Sequence, residues 1–393
     1  MSRSLAVFAG TVVLILVAVS AVGAGNTRSV RDEVTLLRTP NGGIQPQVAM
    51  DQKGDLHLIY FKGHPNGGDI YYVRKALGAA EFSKPIRVNS VPGSAVAIGS
   101  VRGAQIAIGQ GGRVHVAWMG SSVARPRGPN DAAPMLYARM NDAGKAFEAQ
   151  RNVLQFAAEL DGGGSVAADK VGNVYVVWHG NPEKNGEANR RVWEARSTDD
   201  GKTFAREVAV YTERTGACGC CGMRAFAQDN GDLYILYRAA TESIHRDMFL
   251  LVSKDHGRNF LGDRIAKWEL NACPMSTQAI SEAGPNVLIA WETAGQVFFA
   301  GVRRGTDRDS IRAIAAPGDA QDRKHPAVAG NTRGETLLAW TEGTAWQRGG
   351  SVAWQVFDES GRPTKIKGAA AGVSVWGLVA AFTRPDGGFV IIY

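Results

Sequence analysis

Short apolar runs that are led by glycine and closed by an aromatic residue recur along the chain. The clearest run, at residues 172–178, has five consecutive apolar residues and is followed by a polar connection and a second run at 192–197. No helical period fits these segments, whereas their length and their flanking turn residues are typical of β-strands. Each such segment therefore predicts a β-hairpin.

The same phrase of glycine, one polar residue, four apolar residues and an aromatic residue returns seven times. The copies lie at residues 54–60, 112–118, 172–178 and 231–237, with looser versions at 285–291, 334–340 and 387–393. A short strand precedes most copies, and a third and a fourth strand follow. Four antiparallel strands in each repeat of roughly 50 to 60 residues predict an all-β fold, a β-propeller of four-stranded antiparallel blades.

Seven hairpin signals favour seven blades, and six blades is the alternative. The last repeat stops at its second strand, so we expect residues 33–39 to supply the outer strand of the blade that residues 377–393 begin. Residues 32–393 are thus predicted to form a single propeller. A pair of β-sandwiches is disfavoured because sandwich strands need not repeat one phrase.

Composition adds little to this picture and excludes one class of partner. The chain of 393 residues carries 48 glycines and a formal charge of +7, which is spread along the sequence without a block of basic residues. Such a distribution argues against a nucleic-acid partner. The excess of positive charge is therefore interpreted as a generally basic protein surface.

The N-terminus has the pattern of a targeting segment. Arg3 precedes an uncharged apolar run over residues 5–24, and small residues at its end offer cleavage sites for a signal peptidase. The run also approaches the length that spans a bilayer, so residues 1–25 are either a signal peptide or an N-terminal membrane anchor. Both predict an exported protein, periplasmic or extracellular, whose contact with a membrane is limited to that anchor.

A ligand site is expected on one face of the propeller. The innermost strand of each blade begins, and the second strand ends, on the same face, so side chains at those positions converge around the central opening. These positions hold Lys62, His64, Arg102, His179, Arg224, Arg238, Glu292, His325 and Glu342. This mixture suits a glycan or a small anionic ligand.

Two turns carry a family resemblance. Residues 197–204 and 253–260 fit the pattern Ser-x-Asp-x-Gly-x-x-aromatic, and residues 141–147 are a degenerate third copy. They resemble the Asp boxes of the sialidase-like (BNR-repeat) propellers. The resemblance implies that these turns are structural and face away from the ligand, and that the active members cleave glycosides by means of an arginine triad, a tyrosine nucleophile and an acidic residue.

The chain departs from the sialidase pattern in its catalytic residues. The first blade has Gln45-Pro46-Gln47 where the family carries an arginine motif, and no tyrosine or aspartate matches the catalytic pair. Arg102, Arg224 and Arg238 are a candidate anion clamp, since a guanidinium group matches a carboxylate bidentately. Ligand binding without turnover is favoured, with His179 and His325 beside the clamp; a glycoside hydrolase using Glu292 or Glu342 is the alternative.

All four cysteines lie in two segments that precede innermost strands of consecutive blades. Cys218, Cys220 and Cys221 form a Cys-x-Cys-Cys group, and Cys273 follows in the next blade. Export to an oxidising compartment favours disulfides. The alternative is a soft metal such as Cu or Zn, because Met223 and Met275 repeat one Cys-x-Met spacing and can add thioether ligands. The chain is similar to uncharacterised sialidase-like proteins that share the Cys-x-Cys-Cys segment.

Overall fold

Seven small sheets follow one another around a ring, and they confirm the prediction of an all-β, seven-bladed propeller over the six-bladed alternative. The computed structural model describes residues 33–303, 311–319 and 322–393. These residues, from Glu33 to Tyr393, form one compact unit. The predicted signal peptide or anchor at 1–25 lies outside the described residues. Within the described ranges no helix has the length and hydropathy needed to cross a bilayer.

Six blades contain four antiparallel strands each, numbered here in chain order. Blades 1 to 3 are built from β2 (Ile44–Met50), β3 (Leu56–His64), β4 (Gly67–Lys75), β5 (Ile86–Arg87), β6 (Gln105–Ile108), β7 (Val114–Met119), β8 (Met135–Arg139), β9 (Arg151–Asn152), β10 (Ser165–Ala168), β11 (Val174–Gly180), β12 (Arg191–Ser197) and β13 (Val208–Ala209). Blades 4 to 6 are built from β14 (Arg224–Ala227), β15 (Leu233–Arg238), β16 (Met248–Ser253), β17 (Leu261–Ala266), β18 (Ala279–Ala283), β19 (Asn286–Thr293), β20 (Gln296–Val302), β21 (Ile314–Ala315), β22 (Arg323–Gly330), β23 (Thr336–Glu342), β24 (Gly350–Phe357) and β25 (Pro363–Val373). Among the described residues, four single-turn 3-10 helices lie at Pro40–Gly42, Gln110–Gly112, Pro129–Asp131 and Glu187–Asn189.

The seventh blade closes the ring with both ends of the chain. It contains β26 (Ala380–Thr383), β27 (Phe389–Ile392) and, as its outer strand, β1 (Val34–Leu37). The pairing of β1 with β27 is parallel, unlike the predicted antiparallel blade. The parallel direction is required by the connection from β1 to β2. Because β1 leads into the innermost strand of blade 1, it must end on the face where that strand begins, and β27 ends on the same face.

The hydrophobic core is divided into layers between neighbouring blades. One apolar cluster lies at each of the seven junctions, including the junction of blades 7 and 1. The second strand of a blade is therefore covered on both sides, and every residue of β11 is buried. This explains why those strands are continuous apolar runs in the sequence and do not alternate.

The two predicted Asp boxes adopt the same turn. The Oδ1 atom of Asp199 accepts hydrogen bonds from the Ser197 hydroxyl at 2.7 Å and from the Thr203 N–H at 2.9 Å. Gly201 has a φ of 74°, a conformation that favours glycine. Phe204 packs edge-to-face on Tyr137 of the preceding blade, with the two ring centroids 4.8 Å apart. Since each box follows a third strand, the boxes lie on the face opposite the cysteine segments.

A carboxyl group is buried beneath the second Asp box. Glu194 is 2% exposed, lies close to Gly257, and has the charges of Arg196 and Asp255 nearby. Burial raises the pKa of Glu194 to about 8. The folded protein therefore holds this proton at pH values where the unfolded chain has lost it. Its stabilising contribution is complete below about pH 4.5 and is lost as the pH rises through about 8.

Replacing Glu194 by glutamine is expected to remove this pH dependence. The amide keeps the shape of the protonated carboxyl group and cannot ionise. Urea denaturation at pH 5 and at pH 8 gives the free energy of unfolding of E194Q and of the parent. From pH 5 to pH 8 the parent should lose about 2–4 kcal/mol of stability relative to E194Q. A difference that does not change with pH would contradict the assignment.

Candidate functional site

The loop that carries three of the cysteines crosses the face on which innermost strands begin. It runs from β13 at the edge of blade 3 to β14 at the centre of blade 4. The Cys221 N–H donates to the Cys218 carbonyl at 3.3 Å, and the Cys218 N–H donates to the Arg238 carbonyl at 2.9 Å. This turn, anchored to the end of β15, brings neighbouring cysteine side chains to the same side.

The three thiols form a compact buried group, called here the three-thiol cluster (Cys218, Cys220 and Cys221). The Sγ atom of Cys218 lies 3.3 Å from that of Cys220 and 3.2 Å from that of Cys221, and all three atoms lie within 4.8 Å of one another. All four cysteines are free thiols in the structure. Three buried sulfur atoms at this spacing can hold one metal ion.

One member of the cluster is stabilised as a thiolate. Burial acts to raise the pKa of Cys221, but contacts from the Cys218 and Cys220 thiols and the charge of Arg238 bring it well below the usual range. The same contacts raise the pKa of Cys218. These contacts favour the thiolate form at Cys221, toward which the Cys218 S–H donates.

Two buried arginines surround the cluster with positive charge. Arg238 is 1% exposed and lies 3.8 Å from the Glu292 carboxylate; Arg246 is 3% exposed and lies 2.6 Å from Glu187. Burial acts to lower the pKa of Arg246, but Glu187 and then the thiols raise it overall. Within the described part of the chain, Arg238 Nε and Arg246 Nη1 have no hydrogen-bond partner.

Cys273 lies beside this cluster but is not one of its buried members. It is exposed. The Cys218 contact lowers the pKa of Cys220, but the Cys221 thiol and burial, and to a smaller extent Cys273, raise it overall. Met275 packs directly against the three-thiol cluster. Met223, which shares the Cys-x-Met spacing, packs instead into the apolar layer between blades 3 and 4.

A cleft of about 220 Å³ opens next to the cluster on the same face, and is called here the thiol cleft. Its walls include Cys273, Met275, Lys324, His325, Trp346 and Trp376. The two tryptophan rings meet edge-to-face at 4.6 Å. Lys324 donates to the Pro274 carbonyl at 2.6 Å and so fixes the segment that carries Cys273 and Met275.

Arg224 is the first residue of β14 and lines the central channel. The channel has a volume of about 650 Å³ and is lined by innermost strands of all seven blades, mostly with small apolar side chains. Arg224 donates to Gln47 Oε1 across the ring at 2.6 Å and to the Gln278 carbonyl at 2.9 Å. Burial lowers the pKa of Arg224 to about 10, and no carboxylate offsets this within the described residues.

The other two arginines of the predicted clamp are engaged elsewhere. Arg102 pairs with Asp161, whose Oδ1 atom is 2.6 Å away. Arg238 donates to the Arg246 carbonyl at 2.7 Å. Each of the three guanidinium groups thus has its own set of partners.

The two predicted histidines are buried and neutral. Burial lowers the pKa of His179 to about 4 and that of His325 to about 3, with the nearby charges of Arg190 and Lys324 acting in the same direction. His179 Nε2 accepts the Gly162 N–H at 3.1 Å, and His325 Nδ1 lies 3.2 Å from the Thr277 hydroxyl. Neither ring carries positive charge for an anion at pH 7.

Both candidate catalytic carboxylates are held by protein groups. Glu292 is 1% exposed, and its Oε1 atom accepts the Gly295 N–H at 2.8 Å. Burial raises the pKa of Glu292. Glu342 accepts hydrogen bonds from Arg323 at 3.2 Å and from Trp340 at 2.8 Å.

Several residues near the three-thiol cluster were not among the sequence candidates. Arg246, Trp346 and Asp161 lie in connections on the cysteine face, outside the strand ends from which the candidates were chosen. The connection between the second and third strands of each blade also lies on this face. A search of those connections for charged residues would have found Arg246.

Comparisons with known proteins support the fold and carry no information on function. No protein-family model matches the sequence, and no curated protein matches it. Among solved structures, a protein of unknown function from Dyadobacter fermentans superposes with a TM-score of 0.53 at 14% identity, covering 82% of this chain and 96% of that one. A fungal alcohol oxidase in complex with copper has a TM-score of 0.50 at 11% identity, covering 86% and 68%. A Hadza microbial sialidase has a TM-score of 0.48 at 14% identity, covering 85% and 69%.

Proposed function

We propose that this propeller binds one soft metal ion, Cu(I) or Zn(II), through Cys218, Cys220 and Cys221 on its cysteine-bearing face. The observation that carries the proposal is the convergence of three buried sulfur atoms within 4.8 Å. Thiolates about 2.3 Å from one tetrahedral ion lie ~3.8 Å apart, so a small opening of the cluster accommodates the ion.

The surroundings of the cluster support an anionic metal complex. Three thiolates with a monovalent ion carry two negative charges; Arg238 and Arg246, which also pair with Glu292 and Glu187, place their guanidinium groups beside them. The thioether of Met275 against the cluster favours Cu(I), since thioethers are soft ligands. The resemblance of the turns to Asp boxes and the targeting pattern support placing this function in an exported, sialidase-like propeller.

Metal binding and disulfide formation make opposite predictions for the purified chain. A metal site predicts one bound Cu(I) or Zn(II) per chain by elemental analysis, and four reactive thiols after denaturation in chelator. Disulfides predict fewer reactive thiols and no retained ion. The experiment is reconstitution of the reduced full chain with each ion, followed by gel filtration and thiol titration; a chain that retains neither ion contradicts the proposal.

A second candidate function is the binding of a small anionic ligand, such as a carboxylated sugar, in the channel beneath Arg224. The favouring observation is a partly buried guanidinium group whose hydrogen-bond partners are neutral. Calorimetric titration with sialic acid compares the parent with R224M, which retains the bulk of the side chain. Equal binding, or none to either protein, removes this candidate.

The hydrolase alternative is tested separately. A panel of aryl glycosides that includes a sialoside shows turnover if Glu292 or Glu342 is catalytic, and E292Q or E342Q then abolishes it. Because both carboxylates are held by protein hydrogen bonds, we expect no turnover.

A further inference from the structure

The three-thiol cluster is buried, yet one side of it communicates with the thiol cleft. Cys218, Cys220 and Cys221 are 2%, 7% and 1% exposed, so an ion cannot reach them directly from solvent. Met275 contacts the cluster and also lines the cleft. Cys273 lines the same cleft and is exposed. Met275 thus lies between the cleft that Cys273 lines and the buried cluster.

We propose that Cys273 and Met275 are the access route by which a Cu(I) ion enters and leaves the three-thiol cluster; this rests on the proposed metal site. Cys273 takes the ion from a donor at the surface, Met275 offers a transient thioether ligand, and Cys220 receives the ion inside. Each new Cu–S bond forms as an earlier bond to copper breaks, a thiol that binds releases its proton to solvent, the Cys273 thiolate takes a proton up again when the ion leaves it, and copper remains Cu(I) throughout.

The backbone holds the access residues in place. Met275 has a φ of 51°, a left-handed conformation that is uncommon for a residue with a side chain. The segment is fixed before it by the Lys324 bond to Pro274, and after it by the Gly222 N–H, which donates to the Ser276 carbonyl at 2.9 Å. An uncommon conformation held at both ends is what a positioned ligand requires.

Lys324 also places a positive charge on the wall of the cleft, near enough to Glu292 to interact with it. An anionic copper complex is attracted to such a wall, because opposite charges steer encounter. The cleft thus suits an anionic Cu(I) donor.

The test measures the rate of transfer separately from the capacity of the site. Full-length reduced protein is mixed in a stopped-flow instrument with Cu(I) held by bathocuproine disulfonate, and the loss of the coloured complex is followed. We expect C273S and M275L to take up the ion at least about tenfold more slowly than the parent, with the same final stoichiometry. M223L is the matched control, because Met223 has the same Cys-x-Met spacing but packs between blades; it should transfer at the parent rate.

The outcomes separate this proposal from the one on which it rests. A parent chain that never removes copper from the chelator contradicts the metal site itself. Parent-like rates in both C273S and M275L, with normal loading, overturn only the access route. Lower final occupancy in C273S shows that Cys273 is a permanent ligand, which also overturns it. Thermal unfolding of each metal-free variant establishes that it is folded.

Discussion

Cys221→Ser is expected to weaken the affinity for Cu(I) by at least about a thousandfold, which corresponds to roughly 4 kcal/mol of binding free energy. Cys221 is 1% exposed, and its Sγ atom lies 3.2 Å from that of Cys218. Burial acts to raise its pKa, but contacts with the other two thiols lower it overall, which favours a thiolate ligand. Serine has nearly the same shape, but its hydroxyl is a poor ligand for a soft ion. Competition against a Cu(I) chelator measures the change.

Two controls show whether the loss concerns metal or folding. The melting temperature of metal-free C221S should lie close to that of the metal-free parent, whereas added Cu(I) should raise only the parent's, because a ligand of the native state stabilises it by mass action. If C221S instead releases a reactive thiol that the parent lacks, the cluster contains a disulfide and the metal assignment is wrong.

A chain that begins at Pro40 is expected to lose about 3–5 kcal/mol of stability relative to one that begins at Glu33. The shorter chain lacks β1, whose Val34 and Leu36 pack into the layer between blades 6 and 7. It also loses the bond from Thr39 N–H to the Tyr393 carbonyl at 2.9 Å. The last blade is left as a two-stranded hairpin with an unpaired edge, which favours association between chains.

Thermal unfolding and light scattering measure both effects. The chain that begins at Glu33 is the control, since it retains the whole ring. A synthetic peptide of residues 33–39 should restore part of the lost stability by pairing with β27 in trans. Equal melting temperatures for the two chains would show that the ring does not depend on β1.

The sequence was sufficient to predict the ring because its evidence is local. A strand that is covered on both faces must be apolar at consecutive positions, and a tight turn must carry glycine or aspartate, so each hairpin can be recognised alone. The direction of β1 was not predicted, because it depends on where blade 1 begins. Closure of the last blade by residues 33–39 was predicted correctly.

The sequence predicted the face on which the candidate site lies, but only part of the set of side chains that form it. Strand order alone puts Cys273 and the Cys-x-Cys-Cys group on one face. Which sulfur atoms are buried together, and that Met275 contacts them while Met223 does not, follow from side-chain directions in a single turn.

The sequence by itself thus predicted the fold, favoured seven repeats over six, and placed the cysteines on one face, since these follow from strand periodicity and chain order. Only the tertiary structure decided that Arg246 lies beside the thiols, that Arg224 reaches Gln47 across the channel, and that Trp346 and Trp376 share one cleft. Those contacts join residues from different blades, and distances of a few ångströms between blades are set by how the seven apolar layers pack.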